Sequence, residues 1–172
     1  MKSTELLDFL REFYRDKLAM RERHSHAAQG VSDYDANNTY QYVIAREDVQ
    51  LNWLRDAIEA MGGQVDPASA HNDPGVAGVT GNVAKKADRQ PEARVIEADR
   101  DAAREFVEKW RPRIDRLPNA RHRSMLRVVI GETIEQARFF DQALAGRKDL
   151  LGRRADGAGT GGGVLPYRWV ER

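Results

Sequence analysis

The chain carries a glutamate where a helical protein ordinarily carries an apolar residue. Residues 40–61 have the period of an amphipathic helix, whose apolar stripe comprises Tyr40, Val43, Ile44, Leu51, Leu54, Ile58 and Met61. Glu47 lies on this stripe, three residues after Ile44 and four before Leu51, so its carboxylate is predicted to point inward. Burying an unpaired carboxylate is costly. Glu47 is therefore predicted to have a partner: a metal ion, a basic side chain or a proton.

Further polar side chains are predicted to lie at the level of Glu47. Glu132 and Glu135 on a later helix, and Glu105 on the helix before it, also fall halfway along their helices. Glu47 with Gln50, and Glu132 with Glu135, are spaced i, i+3, and two such pairs facing each other have the geometry of a carboxylate-bridged di-metal centre. The predicted ligands of a divalent metal are thus Glu47, Gln50, Glu132, Glu135 and Glu105.

A second interpretation needs no metal. At the level of Glu47, the first predicted helix presents Lys17, and its nearest acidic residues are poorly placed on the apolar stripe. A salt bridge from Lys17 would neutralise a buried Glu47. In this interpretation the carboxylates belong to a polar core network that specifies the register of the helices. Its predicted members are Lys17, Gln50, Gln136 and either Tyr14 or Arg138.

Four long helical patterns surround these residues. The predicted helices span about residues 3–28, 33–61, 91–116 and 119–145, with Ser32 or Asp33 and Asn119 as caps. Pro112 is predicted to kink or end the third helix. A short turn joins each pair of helices, and one long connection, residues 62–90, joins the two pairs. An all-α four-helix bundle of two antiparallel hairpins with a single crossover is therefore predicted for residues 1–151.

Residues 152–172 differ in composition from the bundle. A glycine-rich linker precedes a short apolar and aromatic segment that contains Tyr167 and Trp169. Aromatic rings of this kind are usually buried, so the segment is predicted to dock on the bundle or on a second copy of it.

The two hairpins, the long crossover and the segments Glu47-Asp-Val-Gln50 and Glu132-Thr-Ile-Glu135-Gln-Ala-Arg-Phe-Phe140 resemble the ferritin-like superfamily, which includes the rubrerythrin and ferritin groups. The resemblance covers about residues 3–146. It implies iron or oxidative-stress chemistry at a di-metal centre built from Glu-x-x-His on the second and fourth helices and a glutamate on each of the others. Here Gln50 stands in place of the first histidine, and either Glu135 or Gln136 in place of the second. The chain is therefore interpreted as a divergent member with an altered or vestigial centre.

The composition of the chain limits the kinds of partner and the location that are expected for it. The 172 residues carry a net charge of +1 with basic and acidic residues interleaved, which argues against nucleic acid as a partner. The chain has no cysteine, no predicted signal peptide and no apolar stretch long enough for a membrane. A cytoplasmic homo-oligomer is expected.

Other sites have weaker support in the sequence. The four histidines, His24, His26, His71 and His122, have no metal-ligand spacing and are interpreted as surface or helix-end residues. No nucleophile–base arrangement or phosphate-binding loop is found. Two alternatives to a metal centre stay open: a non-enzymatic interaction bundle, and a small-molecule pocket lined by Tyr14, Tyr40 and Trp110.

Overall fold

The computed structural model describes residues 3–65 and 90–152, and these residues form four helices. The helices are α1 (Ser3–Gly30), α2 (Tyr34–Ala60), α3 (Gln90–Asp115) and α4 (Ala120–Leu144). Each boundary lies within about two residues of its predicted position, which is the usual uncertainty of a helix end. Most of the long connection and the predicted docking tail with Tyr167 and Trp169 lie outside the described residues.

Local signals explain where the helices begin and end. Asp33 accepts a hydrogen bond from the backbone N–H of Ala36 at 3.0 Å, and Asn119 accepts one from His122 at 3.1 Å, so both predicted caps are confirmed. Gly62 follows α2 with a φ of 76° in the left-handed region that glycine adopts without strain. Pro112 does not end α3, which continues to Asp115.

The helices form a bundle of two hairpins. α1 packs most extensively on α2, and α3 on α4, while α1 also contacts α3 and α2 contacts α4. In each contacting pair of helices, residue numbers rise along one helix where they fall along the other. Between α1 and α3, for example, Glu12 contacts Arg113 and Arg23 contacts Asp99. All four neighbouring pairs are therefore antiparallel, and the four-helix bundle predicted from the sequence is confirmed.

The long connection joins opposite ends of the bundle. Gly63, just after α2, lies against Leu7 at the start of α1. The start of α3 lies at the other end, where Glu92 accepts a hydrogen bond from the backbone N–H of Ser32 at 2.8 Å. α2 has 27 residues and is about 40 Å long. The end of α2 and the start of α3 therefore lie at opposite ends of the bundle, as predicted for a single crossover.

The core has two apolar parts with a polar layer between them. One part surrounds Trp110 and Leu54, and the other surrounds Tyr40 and Phe140. Between them every helix contributes buried polar side chains, namely Lys17, Arg21 and His24 on α1, Glu47 and Gln50 on α2, Asp99 on α3, and Thr133 and Gln136 on α4. None of the four described helices has an apolar stretch long enough to cross a bilayer.

The close contact at Gly63 tests the end-to-end placement of α1 and α2. A Cβ at this position would lie 2.6 Å from Leu7 Cδ1 and 3.1 Å from the carbonyl oxygen of Ile58. We expect Gly63→Ala to lower the free energy of unfolding by about 1–3 kcal/mol through overpacking.

The matched control is Gly30→Ala at the end of α1, where an added Cβ meets no atom within 4 Å. This change should stabilise by up to about 1 kcal/mol. Urea unfolding of both variants measures the difference, and equal effects would contradict the packing of α2 on the start of α1.

Candidate functional site

The centre of the polar layer is an ion cluster around Glu47. Lys17 Nζ donates a hydrogen bond to Glu47 Oε1 at 2.9 Å, and His24 Nδ1 lies 2.9 Å from Glu47 Oε2. All three side chains have an exposed fraction of 0%. Because an ionised carboxylate only accepts, Nδ1 of His24 carries the hydrogen. The predicted burial of Glu47 is confirmed, and so is a basic partner on the first helix.

Opposing effects act on the carboxyl group of Glu47. Burial raises its pKa, but the charges of Lys17 and His24, together with their hydrogen bonds, outweigh burial and hold the pKa below its ordinary value of 4.5. Glu47 is therefore an anion at neutral pH. Its two oxygens contact the ammonium group of Lys17 and the ring of His24, both on α1.

The fourth helix contributes to the surroundings of the ammonium group. Lys17 Nζ lies 3.4 Å from Thr133 Oγ1, which accepts because the Thr133 hydroxyl donates to the backbone carbonyl of Val129 at 2.8 Å. Lys17 Nζ also lies 3.7 Å from the sulfur of Met20 and 5.5 Å from the centre of the Phe106 ring. Side chains from all four helices thus surround this cation.

The second predicted pair of ligands lies nearer the surface. Glu132 is partly exposed, and it accepts hydrogen bonds from Arg46 on one oxygen and from Gln50 on the other. This network joins α2 to α4 beside the Glu47 cluster. Gln50 is fully buried and uses its amide nitrogen in the bond, as the polar-network interpretation predicts.

The remaining two candidate ligands point away from the site. Glu135 is exposed and pairs with Arg138 one turn later at 2.6 Å. Glu105 is an exposed residue of α3. The structure therefore brings Glu47 and Glu132 to the middle of the bundle with Gln50, and it does not bring Glu135 or Glu105 there. It also gives neither Tyr14 nor Arg138 a contact with the buried carboxylates.

The donors around Glu47 do not fit a metal ion. Each carboxylate oxygen of Glu47 already accepts a hydrogen bond, and the ammonium of Lys17 lies at the distance from Oε1 that a hydrogen-bonded cation requires. A second positive charge beside Lys17 would be repelled. In residues 3–65 and 90–152, no three His, Cys, Asp or Glu side chains are grouped in a way that could hold a metal.

Not every polar atom in the layer has a protein partner. Nε2 of His24, Oε1 of Gln50 and both amide atoms of Gln136 are buried without a hydrogen-bond partner among the described residues. Gln136 is therefore a buried member of the polar layer, but it does not bond to a carboxylate as predicted. Unpartnered buried atoms cost stability.

Interpreting His24 as a surface or helix-end residue was wrong. Its exposed fraction is 0%, and its ring packs against Phe140 with centroids 5.5 Å apart. The sequence contains the signal, because His24 is seven residues after Lys17 and four after the buried Met20, and therefore lies on the apolar face of α1.

A second missed residue is Asp99 on α3, which is almost fully buried. Its carboxylate accepts hydrogen bonds from the Tyr40 hydroxyl at 2.6 Å and from Arg23 Nε at 2.5 Å. Burial, and then the hydrogen bond and charge of Asp99, raise the pKa of Tyr40. Asp99 is three residues after buried Ile96 and four before buried Ala103, a spacing that marks the inner face of α3.

The predicted aromatic pocket does not form. Tyr14 and Trp110 belong to one apolar part of the core, and Tyr40 belongs to the other, with the polar layer between them. A small cavity of about 250 Å³ lies elsewhere, at the end of the bundle between the start of α3 and the residues after α4.

Comparisons with protein-family models, with curated proteins and with solved structures give no match to this chain.

The coupling of Lys17 and Glu47 can be measured. Lys17→Met or Glu47→Leu alone leaves an unpaired buried charge, so each should lower the free energy of unfolding by about 3–5 kcal/mol. The double variant removes both charges, and its loss should be much smaller than that of either single variant. Urea unfolding of the four proteins measures the coupling, and additive losses would contradict a direct ion pair.

The lowered pKa of Glu47 predicts a dependence on pH. A carboxyl group whose pKa is lower in the folded state adds stability above its unfolded-state pKa, and loses this contribution as the pH falls through the folded-state value. Below about pH 4.5, wild type should therefore lose stability relative to the Lys17→Met/Glu47→Leu variant. Urea unfolding midpoints at pH 7, 5, 4 and 3.5 test this, and parallel curves would contradict it.

Proposed function

We propose that this chain is a divergent ferritin-like bundle in which Lys17 takes the place of the metal. Two observations support the relationship. The described helices have the connectivity of one long crossover between two antiparallel hairpins, which is a ferritin-like arrangement. The buried polar side chains also lie halfway along the bundle, at the level where a di-metal centre of that superfamily would lie.

The spacing of these side chains supports the same proposal. Glu47 and Gln50 on α2, and Thr133 and Gln136 on α4, are i, i+3 pairs in which every member is buried. These pairs correspond to the two Glu-x-x-His motifs. The burial of Gln136 and the exposure of Glu135 favour Gln136 as the counterpart of the second histidine. At three of the four motif positions, a neutral amide or hydroxyl group therefore stands where the superfamily has a strong metal ligand.

We further propose that the bundle has a structural or interaction role that needs no metal, rather than a role in iron oxidation. The observation that carries this proposal is the fully buried ammonium of Lys17 at 2.9 Å from Glu47. A lysine is permanently attached to the chain, and its hydrogen bonds leave no open coordination position for dioxygen or peroxide. The proposed location is the cytoplasm, because a chain without cysteine suits a reducing compartment.

Metal analysis tests the proposed function. Purified wild type is loaded anaerobically with ferrous iron, desalted and assayed for metal per chain. We expect the same background content in wild type, in Glu47→Ala and in the surface control Glu135→Ala. About two metals per wild-type chain, lost in Glu47→Ala and retained in Glu135→Ala, would contradict the proposal.

A gain-of-function variant tests the relationship separately. Gln50→His, Thr133→Glu and Gln136→His together place metal-binding side chains at the three exchanged motif positions, and Lys17→Glu replaces the cation with the glutamate that the superfamily has on its first helix. The variant should have a low melting temperature without metal, because its carboxylates repel each other, and a melting temperature that rises with divalent metal. Absence of any metal-dependent rise would count against a ferritin-like origin of the polar layer.

A further inference from the structure

Two opposite faces of the bundle differ in chemistry. On the face formed by α1 and α3, charged side chains are paired, with Arg113 on Glu12 at 2.6 Å and Lys109 on Asp16 at 2.7 Å. The face formed by α2 and α4, called here the α2–α4 face, carries large apolar side chains that are exposed or partly exposed. These are Tyr42, Val49, Trp53, Met125, Val128 and Phe139.

The arrangement of these residues along the two helices makes the apolar surface continuous. Val49 lies seven residues after Tyr42 and four before Trp53, so all three share one edge of α2. The edge of α4 that faces α2 carries Phe139, whose ring contacts that of Tyr42 with centroids 6.0 Å apart. The ion pair of Arg46 and Glu132 lies in the middle of this surface.

Gly131 is a second unusual feature of the α2–α4 face, in addition to its exposed apolar side chains. It lies inside α4 and is exposed, and an added Cβ would meet no described atom within 4 Å. A glycine inside a helix is unfavourable compared with alanine. Nothing in the described part of the chain requires it, whereas a second backbone that approaches closely would.

We propose that the α2–α4 face binds a second copy of this chain. Arg46 and Gln50 both contact Glu132, so α2 and α4 lie antiparallel with about residue 48 level with residue 132. A two-fold axis parallel to the helices, between α2 and α4, places α2 of one copy on α4 of the other at the same level. Arg46 then faces Glu132 of the second copy, and Val49 faces Gly131, where the missing side chain leaves room.

The charge and the area of the α2–α4 face both suit a second copy of the chain. The middle of the surface is self-complementary in charge, because the two-fold axis places Arg46 of each copy opposite Glu132 of the other. The whole α2–α4 face is about 40 Å long and, because it spans two helices side by side, about 20 Å wide, and its six apolar residues occupy about half of that length. A standard stable interface buries about 800 Å² on each partner, which is about the area of the whole face.

The inference deepens the proposed interaction role and rests on it, but it does not depend on the absence of metal. Val49→Glu and Gly131→Glu each add a charge and bulk to the centre of the contact. Neither changes the core, since Val49 has an exposed fraction of 36% and Gly131 has open space around it. The matched control is Val95→Glu on α3, where the valine has an exposed fraction of 38%.

Sedimentation velocity of the full chain over a range of concentrations measures the assembly. We expect wild type and Val95→Glu to form the same dimer. Val49→Glu and Gly131→Glu should raise its dissociation constant by about tenfold or more, with helix content by circular dichroism and melting temperature of the monomer retained.

Two results would overturn the inference: a wild type that stays monomeric at every concentration, or a dimer that Val49→Glu and Gly131→Glu leave as strong as the control does. Either would rule out a second copy of the chain as the occupant of the α2–α4 face. Metal content of the same samples separates the two proposals, because a metal-loaded dimer contradicts only the metal-free role and a metal-free monomer contradicts only the dimer.

Discussion

The buried contact among Lys17, Glu47 and His24 is the interaction on which the arrangement of the helices depends. Three ionisable side chains with no exposed surface lose their hydration on folding, and their mutual attraction and hydrogen bonds, together with the contact of Lys17 with Thr133, offset this cost. These contacts form only when α1 and α2 are not shifted along each other. Because Lys17 also contacts Thr133, the same holds for the position of α4. The apolar parts of the core are less demanding, since an apolar side chain can pack against many neighbours. The ion cluster therefore selects the register of the bundle.

A cation that belongs to the chain has different consequences from a bound metal. It is present in every folded molecule, it needs no supply of ions, and its hydrogen bonds to Glu47 and Thr133 leave no position for an exchangeable ligand. The centre of the bundle is thereby suited to specifying a structure. An interaction surface of such a bundle would lie outside the core. The proposed one is the α2–α4 face, whose exposed apolar side chains contrast with the paired charges of the α1–α3 face.

The sequence predicted some members of the site and missed others for identifiable reasons. Glu47 and Lys17 were found because a charge interrupting an apolar stripe is visible in one helix at a time. The spacing of His24 and His26 predicts no shared ligand face, but it leaves open that His24 alone lies on the inner face of α1. Glu105 and Glu135 were placed in the site by their level along the bundle. The level of a residue along the bundle does not decide the direction of its side chain, and only about 100° of rotation around the helix separates exposed Glu135 from buried Gln136.

By itself, the sequence determined the four helices, their caps, the single crossover and the burial of Glu47, because periodicity and capping are local properties of a chain. Only the tertiary structure decided which cation pairs with Glu47 and which donors bond to Glu132, namely Arg46 and Gln50. It also decided that Asp99 accepts hydrogen bonds from both Tyr40 and Arg23. These contacts join residues between 23 and 86 positions apart. Helix rotation and relative level determine them, and both arise only when all four helices pack together.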